Sequence, residues 1–192
     1  MAPVGQPYLR QKLALHRNRV NLRYKQYAMK HIDRDNGLTI PAALRYKYKS
    51  VLGWCAHGVD SLADRLVFWD FADDTFEVNE IFQANNPDVF FDSVVLSALI
   101  ASCSFVYISK DDDDVRLQVS EASNATGVVD PITGLLTEGY AVLERDKYNN
   151  PTVEAYFLPD RTDYHFEDKT VEDFSIDNPV GHPLLVPVIH RP

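Results

Sequence analysis

The feature that most constrains this chain is a change of period. Through residue 103 the apolar residues recur at helical spacing, and from Phe105 onward they alternate with polar ones. That change marks a switch from helices to a sheet. The expected fold class is therefore α+β, with amino-terminal helices packed on antiparallel β-hairpins.

Three helices are expected in the first half. From Leu9 to His31 a stripe of Leu9, Leu13, Val20, Tyr24 and Tyr27 is flanked by Arg10, Lys12, Arg17, Arg19 and Arg23, which predicts a long one-sided helix. Asp35-Asn36-Gly37 ends it, and Leu38 to Lys49 reads as a linker broken at Pro41. From Ser50 to Phe68 the pattern is the cleanest in the chain. Val51, Leu52, Trp54, Cys55, Val59, Leu62, Ala63 and Leu66 fall on one broad apolar face, and Gly53, His57, Asp60, Ser61 and Asp64 on the polar one. Gly58 lies inside the apolar arc, which predicts close approach of another backbone, and Arg65 sits at the border beside Trp54 and Gly58. Asn86 followed by Pro87 predicts a capped start for a helix over Asp88 to Cys103 that is apolar nearly all round and hence a core element.

The second half reads as hairpins. Phe105 to Lys110 and Val115 to Ser120 flank Asp111 to Asp114, and Gly139 to Lys147 and Thr152 to Leu158 flank Tyr148 to Pro151. Asp130 to Gly134 is a turn, and Asp160 to Phe174 offers further short strands. The proline-rich stretch Pro179 to Pro192 suits neither a helix nor a central strand and reads as an extended connector with an apolar side. The organisation is thus a basic helical arm and linker (1–49), an α+β body (50–178) and the connector (179–192).

With 192 residues and 45% hydrophobic content, a chain of this size buries roughly 70% of its unfolded surface without staples. Cys55 and Cys103 lie in apolar helical patterns and read as small buried hydrophobes in a reducing compartment rather than as a disulfide. No secretory signal is visible. The uncharged run Ser93 to Ser109 is interrupted by five serines and falls short of the roughly 20 residues of a membrane span.

The net charge of −9 conceals an asymmetry. Residues 1–49 carry eleven Lys and Arg against two acids, net +9, and residues 50–192 carry eight against twenty-six, net −18. Such an acidic body repels a nucleic-acid backbone, while the arm can meet either nucleic acid or the acidic body of another copy. Arg17, Arg19, Arg23, Asp60, Asp64 and Arg65 are the candidate assembly surface.

Catalytic motifs are sparse. Asp163, His165 and Glu167 would share one face of a strand and could hold a divalent metal; a solvated strand face is the plainer reading. His57, Asp60 and Asp64 stack on one helix side without a nucleophile. The Asp111 to Asp114 run lacks the glycine and distal glutamate of a calcium loop, and Asn124-Ala125-Thr126 matters only in a secreted chain. Phosphate-binding glycine loops, paired CxxC, HExxH and GxSxG are missing. No cofactor, metal or catalytic residue is assigned, and the chain is not expected to be an enzyme.

Read together, these parts resemble the amino-terminal region of portal proteins from tailed bacteriophages, in the branch typical of long-tailed phages. The segment Gly58 to Phe68 is similar to an early family helix with the pattern VD-hydrophobic-A-D-R-L, Leu96 to Ile108 to a helix giving way to a strand and charged turn, and Pro183 to Pro192 to the segment preceding the stem. The chain departs from the family at Tyr24-Lys25-Gln26-Tyr27, where adjacent tyrosines followed closely by glycine are common, and at Ser102-Cys103-Ser104, where a glycine often precedes the strand.

The resemblance implies a wing-like structural piece without stem and clip. The full-length protein would be a ring, usually of twelve subunits, at one capsid vertex of a virion made in the bacterial cytoplasm. Its partners would be other portal subunits, the capsid protein, the terminase and head-tail adaptor through regions missing here, and double-stranded DNA passing without sequence-specific binding during packaging and ejection. The wing alone is expected to be a monomer or weak oligomer. The rivals are a metal-dependent hydrolase using Asp163, His165 and Glu167, and a nucleic-acid-binding adaptor working through the basic arm.

Overall fold

A computed structural model describes residues 4–28, 53–74, 76–111 and 114–190. Four helices precede eight strands: α1 (Gln6–Tyr27), α2 (Trp54–Ala63), α3 (Val78–Ala84) and α4 (Pro87–Ala101), then β1 (Cys103–Asp111), β2 (Asp114–Glu121), β3 (Ala125–Val129), β4 (Leu136–Arg145), β5 (Pro151–Phe157), β6 (Arg161–Phe166), β7 (Phe174–Asp177) and β8 (Leu185–Ile189). The fold is α+β. Every strand pairing is antiparallel, in a three-stranded sheet of order β2-β1-β8 and a five-stranded meander from β3 to β7.

The five-stranded sheet is covered on both faces. Tyr140 stands opposite Tyr156 across β4 and β5, and with Val142 these side chains receive Leu9 and Leu13 of α1. On the other face Ala141, Ala155 and Phe157 pack with Phe105 and Tyr107 of β1 and Leu185 of β8. Gly139 on β4 lets the sheets approach, since a Cβ there would stand 2.9 Å from Leu185 Cδ2 of β8. Its partner Gly127 on β3 is tight within its own sheet: a Cβ there would stand 2.7 Å from the Glu138 carbonyl oxygen and 2.7 Å from Leu136 Cδ1. The hydroxyls of Tyr107 and Tyr164, 2.5 Å apart, join the two sheets.

Helix α1 is one-sided as its stripe predicts: Leu9, Leu13 and Val20 are buried, and Tyr24 packs on the core. It has no acidic residue in its first turn and no local side-chain cap; a carboxylate from β4 takes that role. Glu138, 4% exposed, accepts the Val4 N–H at 2.6 Å and the Gly5 N–H at 3.1 Å. Gly5 has φ 88°, a conformation open to glycine at little cost, and lies where the chain turns into the helix. Unpaired N–H groups and the positive end of the helix dipole both favour a carboxylate there.

Helix α4 packs against α1, α2, α3 and both β1 and β2, in line with its apolar circumference. Asn86 stands at its N-cap with Pro87 in the first turn, as the sequence suggests, but with φ 50° and no side-chain cap bond, so the Asn86 side chain does not close the helix end. The neighbouring Asn85 works instead. Its amide donates to Ile81 O at 2.7 Å and Val115 O at 2.8 Å, and its oxygen accepts the Leu117 N–H at 2.9 Å, closing off part of the β2 edge.

Other expectations need correcting. None of the α2 residues is buried, Cys55 is exposed, and a Cβ on Gly58 would meet nothing within 4 Å; the apolar arc of α2 is not a core face. Cys103 opens β1 and is half-buried. The connector is extended as expected, yet Leu185–Ile189 pairs with β1 as an edge strand, and Leu185 is among the most buried residues. An edge position tolerates Pro187 because no further strand requires its missing N–H. Readings for Met1 to Pro3, Met29 to Leu52, Thr75, Asp112, Asp113 and Arg191 to Pro192 lie outside the described residues.

Candidate assembly interface

The apolar arc of α2 expected to lie in a core is only partly covered, with Val59 and Ala63 half-buried. Trp54 is 81% exposed, and Leu62 and Leu66 are exposed as well. What holds the helix is polar on one side, where the Tyr27 hydroxyl donates to Asp60 Oδ1 at 2.7 Å, and packing against α4 on another.

After α2 the chain is irregular, and its side chains divide between inside and outside. Phe68 inserts among Phe71, Phe82 and Phe91, with ring centroids at 4.9, 4.6 and 5.9 Å. Phe71 meets Phe82 edge-on at 5.5 Å. These contacts anchor the segment on α3 and α4. Val67, Trp69 and Phe76 are left 76%, 93% and 83% exposed. Beside Trp69 a groove of about 640 Å³ is rimmed by Asp64, Asp70, Asp88 and Asp92. Exposed large apolar side chains gathered in one region, with tryptophan among them, mark a protein contact surface.

The basic surface is on α1, and the structure separates its cations into two groups. Arg10 is paired with Glu154, which also accepts the Tyr140 hydroxyl. Lys12 Nζ donates to Gly127 O at 2.7 Å. Arg23 donates to Ala101 O at 2.6 Å and Ser102 Oγ at 2.7 Å, at the negative end of the α4 dipole. Arg17 and Arg19 have no acidic partner among the described residues. Burial, and then the like charge of Arg17, push Arg145 below its ordinary value, with Glu154 acting the other way.

Of the candidate assembly residues, then, Arg23 and Asp60 are engaged within the chain, while the side chains of Arg17, Arg19, Asp64 and Arg65 make no hydrogen bond or ion pair among the described residues. Arg65 is exposed.

The metal candidates are not brought together. Asp163 accepts from Arg161 Nε at 3.0 Å and Ser175 Oγ at 2.6 Å, and His165 Nδ1 lies 2.9 Å from Asp173 Oδ2. Glu167 falls just past β6, with its backbone N–H bonded to Thr152 O. Among the described residues no group of three His, Cys, Asp or Glu side chains is placed to hold a metal ion. No described helix is long and apolar enough to cross a membrane.

Sequence reasoning missed the segment carrying Trp69 and Phe76. Its signal was four aromatics, Phe68, Trp69, Phe71 and Phe76, interleaved with Asp70, Asp73 and Asp74, a pattern that fits neither regular period. Glu138 gave no signal, since an isolated glutamate in an alternating strand reads as a solvent-facing position. No family model matches the chain, and no curated protein matches it.

Proposed function

We propose that the chain is a non-catalytic wing piece of a portal subunit from a tailed bacteriophage, working by ring assembly at the capsid vertex. The observation that carries this reading is the exposure of the large apolar side chains Trp54, Val67, Trp69 and Phe76, which suits contact with a protein partner. A basic helix face on an acidic chain adds a reason for that partner to be another copy.

In this reading the ring surrounds the passage for DNA, the capsid protein holds its outer wing, and terminase and adaptor engage other regions. Excess negative charge keeps the DNA backbone from adhering. The metal-dependent hydrolase has less support, because Asp163 and His165 are occupied by Arg161, Ser175 and Asp173. The nucleic-acid adaptor is weakened because Arg10, Lys12 and Arg23 are engaged inside the chain.

Electron microscopy of the full-length gene product tests the proposal: closed rings of uniform subunit number are expected. A monodisperse monomer at high concentration overturns it.

A further inference from the structure

A second groove complements the exposed aromatic segment. It measures about 570 Å³ and lies between α1 and the strands β1, β3 and β8. Its floor is apolar, formed by Val20, Phe105, Ala125 and Ile189, and one wall carries Lys12, His16, Arg19 and Arg23. Lys12 and Arg23 are tied to backbone carbonyls; His16 and Arg19 are exposed. An apolar floor with cations on one wall suits an occupant that is apolar on one side and acidic on another.

The chain itself carries such an occupant. Trp69 and Phe76 project from an acidic segment that includes Asp70 and Asp74, and at 93% exposure Trp69 is not seated anywhere in its own chain. Few cations and an apolar floor make the groove a poor cradle for a phosphate backbone.

We propose that Trp69 and Phe76 of one copy dock in the α1–β1–β3–β8 groove of a second copy, their aromatic rings on the floor and Asp70 and Asp74 toward Arg19 and His16. The segment and the groove share no residue. The contact is therefore heterologous: each copy offers the segment to one neighbour and the groove to another, and the series ends only when it closes into a ring. The inference rests on the ring-assembly reading and specifies the surface that would serve it.

Sedimentation analysis of the whole chain up to about 1 mM, with Trp69→Ala and Arg19→Glu variants, tests the contact. Both residues are exposed, and circular dichroism confirms folding; should either variant unfold, Phe76→Ala and His16→Glu replace them. Concentration-dependent association is expected for the unsubstituted chain, with each variant alone weakened at least about tenfold, the size expected for losing one central contact. An equimolar mixture of the two variants recovers association but stops at a 1:1 dimer, because one segment and one groove remain intact.

A chain that stays monomeric throughout, variants that associate as before, or a mixture that recovers nothing overturns the proposal. Failure here is separable from failure of the ring reading. Rings that form unchanged from full-length protein carrying either substitution sink only this contact, whereas segment-dependent association that yields open chains and never rings sinks the portal reading and leaves the contact standing.

Discussion

The Tyr156 hydroxyl donates to Glu138 Oε2 at 2.6 Å, on the face of the five-stranded sheet that receives α1. The same carboxylate accepts the Val4 and Gly5 N–H groups, so a cross-strand side-chain pair serves as the amino-terminal cap of a helix distant in sequence. Burial and the bond to Glu138 push the Tyr156 phenol well above its ordinary value, which keeps it a hydrogen-bond donor at neutral pH.

Removing the carboxylate leaves two backbone donors and a tyrosine hydroxyl unsatisfied. Glu138→Ala is expected to lower stability by about 2–4 kcal/mol, in the range for a buried group whose partners are left unpaired. Tyr156→Phe, which removes one donor and leaves the backbone bonds, should cost about 1 kcal/mol. Urea unfolding monitored by tryptophan-independent circular dichroism measures both, and equal losses would show that the backbone contacts of Glu138 contribute nothing.

The two groups of cations on α1 predict opposite outcomes for similar substitutions. Arg23→Ala removes the donor to Ala101 O and Ser102 Oγ at the end of α4 and should cost about 1–2 kcal/mol. Arg19→Ala should change monomer stability by less than about 0.5 kcal/mol, as for a surface residue without special ties. Dilute-solution urea midpoints compare the two; a larger loss for Arg19 would reverse the assignment.

Gly127 admits no side chain without movement of backbone. With a Cβ placed 2.7 Å from the Glu138 carbonyl oxygen, Gly127→Ala should destabilise by about 1–3 kcal/mol, the usual cost of overpacking. Gly134→Ala, at a position open on all sides but with φ 73°, should cost about 1 kcal/mol through backbone strain alone. Thermal unfolding in dilute solution ranks the pair, and a Gly127 variant as stable as the parent would mean that β3 is free to shift against β4.

Acid should loosen the turns before the sheets. The carboxyl of Asp130 is held below its ordinary value by the Ile132 N–H and then by the Thr133 hydroxyl; the backbone N–H of Asn150 does the same for Asp146, and that of Thr170 for Asp168. Asp173 is lowered chiefly by its bond to His165. Because folding lowers these values, their stabilising contribution is fully present above the unfolded carboxyl value of about 3.9 and is lost as pH falls through the folded values. Carboxyl NMR titration should give midpoints below those of the same residues in urea; midpoints at or above the unfolded values would remove these turns from the acid response.

The sequence by itself determined the order of helices before strands, the one-sided α1 and the two hairpins on either side of the Asp130 turn, because helical and strand periods are local and leave their mark in any window of a dozen residues. It also supplied the charge asymmetry. Tertiary structure alone decided which apolar faces are covered. The α2 pattern carries as clear an apolar arc as α1, yet Leu9 is buried and Trp54 is not, since periodicity gives a face its direction and says nothing of what stands opposite. Glu138, Asn85 and Arg23 belong to the same class. Each is an ordinary polar residue in its own segment, and each takes its role from unsatisfied backbone groups that another part of the chain brings to it.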